Sequence, residues 1–376
     1  MFVGIEPALT SPIDWRTDRR PVAAQGPARM EEGKARVSGR TSNTPQAPSH
    51  IPLPRLGVAG RRMVVNLVAL AVLVLILSLL SDRFLTAENA ANVFRQIATV
   101  VTVGCFFTIL MVSGGIDLSV GGVLTLSGLV SVTLVNSGVP IPLAVVVATL
   151  LGALVGAVNG FLVALVGLNT VIATLGTMYV TRGSALVLGG GKAIRAEDPA
   201  YAWLGNASIG PIPALAIVML VVLVLTFVLE RRALLGRFAV LVGTNPRGAR
   251  LNGVPVRTVQ LAMFTLTGAA AGWAGVMVSS RLNTALPSAG NGFEFEVIIA
   301  TLLGGTSLLG GEGSVLGLLV GALIVGCATS GMNILGVPVF IQSVLLGSVL
   351  ITAVGLDAIL RRRRDRPTRR VASAEA

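Results

Sequence analysis

The chain has 376 residues, of which 53% are hydrophobic and only 12% charged, with a mean hydropathy of +0.83 and a formal net charge of +12. So much apolar surface exceeds what a globular core can cover, which excludes a soluble domain. The positive balance does not point to nucleic acid, because the arginine clusters flank apolar runs, as they do where charge orients a membrane protein.

Residues 1–60 are rich in Pro, Ser, Thr, Gly and Arg and hold no apolar run followed by a small-residue cleavage site, so they read as a disordered basic cytoplasmic tail and not as a signal peptide. Beyond them the chain reads as an all-α polytopic membrane protein: apolar runs of membrane length recur and alternating ten-residue strands do not. Ten spans are predicted, over Met63–Leu80, Val93–Val112, Leu118–Val135, Pro142–Val166, Thr170–Leu188, Ile212–Leu229, Thr258–Ser280, Glu296–Leu309, Val315–Leu335 and Val337–Leu356. They make a transmembrane domain over 61–360, followed by a basic tail over 361–376. Lys and Arg number ten before the first span, six in the loop 230–257 and seven after the last span. If basic loops stay inside, both termini and that loop are cytoplasmic, which requires an even count, six spans before the loop and four after it.

Two segments interrupt the apolar pattern alike: Gly114-Gly115-Ile116-Asp117-Leu118-Ser119-Val120-Gly121-Gly122 and Gly304-Gly305-Thr306-Ser307-Leu308-Leu309-Gly310-Gly311-Glu312-Gly313. Such sequences suit broken or re-entrant helices whose freed backbone groups face protein, and they read as copies of one motif, in a parallel or an inverted repeat. Asp117 is the candidate intramembrane charge; its place just before Ser119 and a new helix also suits an N-terminal cap, which is the favoured reading. Glu294 and Glu296 stand at the outer entrance of the eighth span, where they meet a polyhydroxylated solute or mark the interface. Glycines four apart (Gly152, Gly156 and Gly160; Gly268 and Gly272; Gly317 and Gly321) suit close helix packing.

The mid-chain loop carries Arg231, Arg232, Arg237, Arg247, Arg250 and Arg257 around one predicted short helix, with Asn245 as cap, Pro246 in the first turn and Gly253 as stop. A capped, arginine-bearing helix between membrane spans suits a docking element for another subunit. No nucleotide site is expected in the chain. Gly311-Glu312-Gly313 followed by Gly317 has the wrong spacing for a dinucleotide fingerprint, and Gly189-Gly190-Gly191-Lys192 lacks the first glycine and the Ser/Thr of a P-loop. The lone histidine, His50, lies in the tail, which removes histidine-based catalysis and metal chemistry from the membrane domain. Cys105 and Cys327 read as small core residues.

From about Arg61 to Arg364 the chain resembles the permease subunits of ribose-type ABC sugar importers, a family that also serves xylose, galactosides, inositol and the autoinducer-2 signal. The resemblance rests on Ser-Gly-Gly-Ile-Asp-Leu-Ser-Val-Gly at 113–121, Gly156 with Asn159-Gly160, Ile-Ala-Thr-Leu-Gly at 172–176 with Arg182-Gly183, and Gly236-Arg237 with Gly243, Asn245, Ala249-Arg250 and Gly253. It continues with Gly-Gly-Thr-Ser-Leu at 304–308 and Gly-Gly-Glu-Gly-Ser-Val at 310–315. It implies a homodimer in the bacterial inner membrane, a cytoplasmic ATP-hydrolysing partner, an extracytoplasmic sugar-binding protein, and no cofactor. It also implies that 245–252 is the coupling helix, with Arg237, Asn245, Arg247, Ala249, Arg250 and Gly253 as coupling residues. Asp117, Ser119, Asn159, Thr174, Glu294, Glu296, Thr306 and Ser307 are the candidates for the solute path or its gating. The chain departs from the family in Glu294-Phe295-Glu296-Val297, where Glu-Leu-Asp-Ala is usual, in Asn252, where Ser is usual, and in the length of its N-terminal tail. The function implied is inward passage of a monosaccharide or similar polyol by alternating access. The rivals are a secondary carrier, for which Asp117 is the one deep ion-coupling candidate, and a receptor or scaffold docking a partner.

Overall fold

A computed structural model of the chain describes residues 58–352 and 354–355. The expected basic tails lie outside them, except that residues 58–60 already belong to the first helix. In chain order the helices are α1 (Val58–Leu80), α2 (Ala87–Val112), α3 (Val120–Asn136), α4 (Ile141–Phe161), α5 (Thr170–Gly189), α6 (Trp203–Asn206), α7 (Ala214–Arg232), α8 (Leu234–Thr244), α9 (Pro246–Leu251), α10 (Val256–Leu282), α11 (Phe293–Leu303), α12 (Val315–Ile334) and α13 (Val339–Thr352). Seven are long and apolar enough to cross a membrane: α1, α2, α4 with its π-helical continuation Leu162–Val166, α5, α7, α10 and α12. Among the described residues, strand is confined to two antiparallel two-residue pairs, β1 (Ile194–Arg195) with β4 (Thr284–Ala285) and β2 (Ser208–Ile209) with β3 (Ile212–Pro213).

Of the other predicted spans, α3 is a 17-residue apolar helix, and α13 is the described part of the last one. The span expected at Glu296–Leu309 is cut short: α11 stops at Leu303 because Gly304-Gly305 follows, with Gly305, Gly310 and Gly311 at φ of +89°, +86° and +80°, a region that side chains with a Cβ avoid. Irregular chain over 286–292 precedes α11 and completes that pass, so coil and half-helix share one crossing, as unwound backbone can when it is packed on protein.

Side-chain and backbone bonds order the two ends of the bundle. At one end Val315 N–H donates to Glu230 Oε2 at 3.2 Å, Asn66 Nδ2 donates to Leu303 O, and Gly311 N–H donates to Val112 O at 2.8 Å. This joins the start of α12 to the end of α7, α1 to the end of α11, and the end of α2 to the turn after α11. The opposite end holds β1 on β4, Ser330 Oγ donating to Asn89 Oδ1 at 2.7 Å, and the Tyr201 hydroxyl within 2.6 Å of both Ser131 Oγ and Ser279 Oγ. Burial raises the pKa of that Tyr201 hydroxyl above its ordinary range.

The core is built around α2 and α10, both largely buried, while α1 is almost wholly exposed, as a lipid-facing helix should be. The glycines at four-residue spacing set the closest approaches. A Cβ on Gly152 or Gly156 would collide with the carbonyl of Gly268 or Phe264, and one on Gly268 would collide with Gly152 O. Gly317 and Gly321 likewise lie on Gly304 and Ala300. Backbone-to-backbone contact of this kind replaces the hydrophobic drive that helices lack in lipid.

Candidate functional site: a polar knot, a buried ion pair and a docking loop

The segment 113–119 joins α2 to α3, and its polar groups converge below the start of α3. Asp117 is fully buried. Its Oδ1 accepts from Ser119 N–H at 2.9 Å, from Ser119 Oγ at 2.6 Å and from Asn159 Nδ2 at 3.2 Å. Asn159 Nδ2 also donates to Ser119 Oγ at 2.9 Å, and Asn159 Oδ1 accepts from Thr177 Oγ1 at 2.6 Å. Three expected path residues, Asp117, Ser119 and Asn159, thus form one knot across α3, α4 and α5, with Thr177 as a member that sequence reasoning did not name. Asp117 holds an amide at the mouth of α3, as a cap does, but it also reaches another helix, and Ser119 itself makes no capping bond. Asp117 Oδ2 is buried without a hydrogen-bond partner. Thr174 is buried and its hydroxyl bonds its own helix, at 2.8 Å to Thr170 O; the neighbouring link is Thr170 Oγ1 donating to Ile116 O, also at 2.8 Å.

Glu294 does not stand at an open entrance. It is 2% exposed in the first turn of α11, and its carboxylate takes both oxygens to Arg182 Nη2, at 2.8 and 3.0 Å. Arg182 is twelve residues along α5 from Thr170 and seven from Gly189, about 18 Å and about 10 Å at 1.5 Å per residue, so the pair lies well inside the span. Around it, Gly290 N–H donates to Thr125 Oγ1 at 2.9 Å, and a Cβ on Gly121 would collide with Glu294 Oε2 and Gly290 O. The sequence does signal this group: Arg182 is the one charge inside the apolar run 170–189. Glu296, two residues on, is half-buried and makes no hydrogen bond to Arg182.

Thr306 and Ser307 are buried in the turn after α11, where Ser307 N–H donates to Glu312 O at 2.9 Å and Ser307 Oγ accepts from Leu309 N–H at 3.1 Å. They are apart from the Asp117 knot in the bonding pattern, but their turn touches the segment after α2. A Cβ on Gly310 would come within 3.1 Å of Val112 O and 3.2 Å of Gly114 N. The two glycine-interrupted motifs therefore sit at the same end of the bundle, side by side.

The loop between α7 and α10 holds two helices where one was expected. The second is α8, which buries Gly236, Ala239 and Val242 and leaves Arg237 exposed. In α9, Asn245 Oδ1 accepts from Gly248 N–H at 2.9 Å, Pro246 occupies the first turn, and the helix stops at Gly253 with φ of +79°. Val254 N–H donates to Ala249 O and Gly253 N–H to Arg250 O, the paired bonds of a Schellman stop, with Val254 and Ala249 both buried beneath it. Arg247, Arg250 and Leu251 face outward, Leu251 at 89% exposure. Ala249 faces inward, so it anchors α9 and leaves contact to its neighbours.

Comparison with known proteins agrees with this architecture. The family described as branched-chain amino acid transport system / permease component matches residues 89–354. The ribose import permease protein of Escherichia coli K12 is 35% identical over 296 residues, which is 78% of this chain and 92% of that protein. The D-allose transport system permease protein of the same strain is 38% identical over 295 residues, 77% and 90% of the two chains. The L-arabinose ABC transporter permease protein of Azospirillum brasilense is 34% identical over 288 residues, 77% and 85%. No solved structure gives a significant match. Matched by that family over residues 89–354 and by these relatives over most of their length, the chain belongs to the permease components of ribose-type ABC importers.

Proposed function

We propose that this multi-pass membrane subunit moves a monosaccharide or similar polyol inward by alternating access, with ATP hydrolysed by a partner docked on α8–α9. What carries the docking role is α9: a capped helix with outward Arg247, Arg250 and Leu251, inward Ala249, and a stop that fixes its exit. The loop end is then cytoplasmic together with both termini, in keeping with the Lys/Arg-rich loop and tails. The opposite end, with β1, β4 and Tyr201, faces a sugar-binding protein. The polar knot at Asp117 and the Arg182–Glu294 pair place ionisable groups inside the apolar bundle, where such groups mark solute paths. A second copy of the chain belongs to this reading, in keeping with the pair of permeases that the resemblance implies. Residues 361–376 are assigned as a cytoplasmic basic tail and residues 1–57 as a second one.

The test is uptake of radiolabelled ribose, allose and L-arabinose by the importer reconstituted with and without its ATPase. Uptake that requires both the ATPase and ATP supports the reading. Uptake that persists without the ATPase turns the chain into a secondary carrier, and no uptake with a docked ATPase turns it into a scaffold.

A further inference from the structure

The guanidinium of Arg182 is the unusual group in α5. A charge inside an apolar span is costly unless it is paired or wet, and Arg182 is both clamped and partly open: its side chain is 26% exposed while Glu294 is 3% exposed. The clamp uses Nη2 alone, on both Glu294 oxygens and, at 3.5 Å, on Gly290 O. Nη1 makes no hydrogen bond among the described residues, and Nε is buried without a partner. A guanidinium carries five N–H donors, so most of this fork is unused. Were the pair only a staple between α5 and α11, a carboxylate so placed would be met by both arms of the fork, as arginine–carboxylate pairs usually are. Here one arm is held and the other is left over.

On the same side of α5, one turn before Arg182, stands the exposed Tyr179. Two glycines, Gly176 and Gly183, have no heavy atom within 4 Å of where a Cβ would stand, so the backbone there is bare and not packed on another element of the chain. Lipid is a poor neighbour for a guanidinium, a phenol and bare backbone. Hydroxyl-bearing solute is a good one, because sugar oxygens accept from a fixed, charged planar donor that is already oriented. The chain unwinds beside it, at 286–292, where a discontinuous helix meets the interior of the bundle, the setting in which transporter sites are built.

We propose that Arg182 is a solute-contacting residue, positioned by Glu294, whose free guanidinium arm donates to a hydroxyl group of the transported polyol in mid-passage. The proposal rests on the sugar-permease reading above. Arg182 touches solute; Glu294 is the positioning residue that keeps the fork pointed along α5. The binding protein sets which sugar is delivered, and Arg182 adds a second discrimination at the level of hydroxyl pattern.

The complete importer, with its ATPase and binding protein, is assayed as wild type, Arg182→Lys and Arg182→Gln for uptake of ribose against 2-deoxyribose and of allose against its deoxy analogues, per assembled complex. Loss of one charge-assisted hydrogen bond changes the uptake ratio between a sugar and the analogue lacking the contacted hydroxyl by about tenfold; Lys, which keeps the charge against Glu294, restores part of it and Gln none. Equal slowing of every sugar, with ratios unchanged, reduces the pair to a staple and overturns the proposal. If neither variant assembles, Tyr179→Cys, one turn from Arg182 on the same side of α5, is treated in the otherwise unaltered protein with a water-soluble thiol reagent during turnover: slowing of the reaction by saturating sugar supports the contact, and a cysteine that never reacts, or reacts alike with and without sugar, overturns it. A wild type that takes up none of the sugars removes the sugar reading itself, and the proposal with it; a wild type that transports but keeps its ratios on mutation removes only Arg182.

Discussion

Replacing Asp117 separates its geometry from its charge. The Oδ1 atom accepts from Ser119 N–H, Ser119 Oγ and Asn159 Nδ2, while Oδ2 accepts from nothing. In Asp117→Asn the amide oxygen takes over the three bonds and the new NH2 group falls where Oδ2 was, unpaired as Oδ2 is unpaired, so the change in stability is about 1 kcal/mol or less. In Asp117→Ala the acceptor is gone. Asn159 keeps Ser119 Oγ at 2.9 Å, but Ser119 N–H loses its partner in a fully buried position, which costs about 2 kcal/mol and loosens the entry to α3. The assay is thermal unfolding of the purified permease in detergent alongside uptake by the reconstituted importer. Asn is expected to track the wild type in both, and Ala to lose stability and most transport. An Asn variant that assembles with normal stability yet transports nothing would refute the geometric account, since it would show that the carboxylate itself acts in gating or in the path.

Arg250→Glu reverses charge on the outward face of α9; insertion and yield are expected to be normal and sugar-stimulated ATP hydrolysis lost, with unchanged stimulation ruling out the coupling role. Asn245→Ala removes the cap bond to Gly248 N–H and is expected to destabilise the α9 end by about 1 kcal/mol, read as a partial loss of ATPase coupling that Asn245→Asp restores. Gly305→Leu forces a branched side chain to φ of +89°, and Gly115→Leu drives it into Leu110 and Phe264; both are expected to abolish uptake, and a normal rate in either would show that its turn tolerates repacking. Tyr201→Phe cuts the bridge between Ser131 and Ser279 and is expected to lower the unfolding temperature with transport retained, about 1 kcal/mol per lost bond.

What the chain spells out locally is what reading it in order recovers. The cap at Asn245, the stop at Gly253 and the helix-packing glycines at 152, 156, 268 and 272 are short-range or periodic patterns, and each falls where spacing places it. The class follows from composition, and the family from six dispersed motifs. What escapes is contact across long separations. Glu294 looks like an interfacial acid until α5 brings Arg182 to it over 112 positions, and Asn159 has no visible partner until α3 presents Asp117 and α5 presents Thr177. Two element errors have a physical cause. Window hydropathy extends a span through Glu296–Leu309 because glycine is neutral to it, although the left-handed Gly305 ends the helix and Gly310 and Gly311 turn the chain beyond it. The same window passes over α8, which is apolar but only 11 residues long, shorter than the window itself.

The end of α8 has a mechanical consequence for this permease. Gly243 presses its backbone against Val112 O, a point that no side chain could share, and Gly311 N–H is bonded to the same carbonyl at 2.8 Å. Three strands of backbone from distant parts of the chain therefore meet at one oxygen, with no compliant side chain between them to absorb a displacement. On the proposed docking at α9, a push or pull there reaches the end of α2 and the turn before α12 through backbone alone. The work of the proposed partner thus enters at a contact that has no side chain to give.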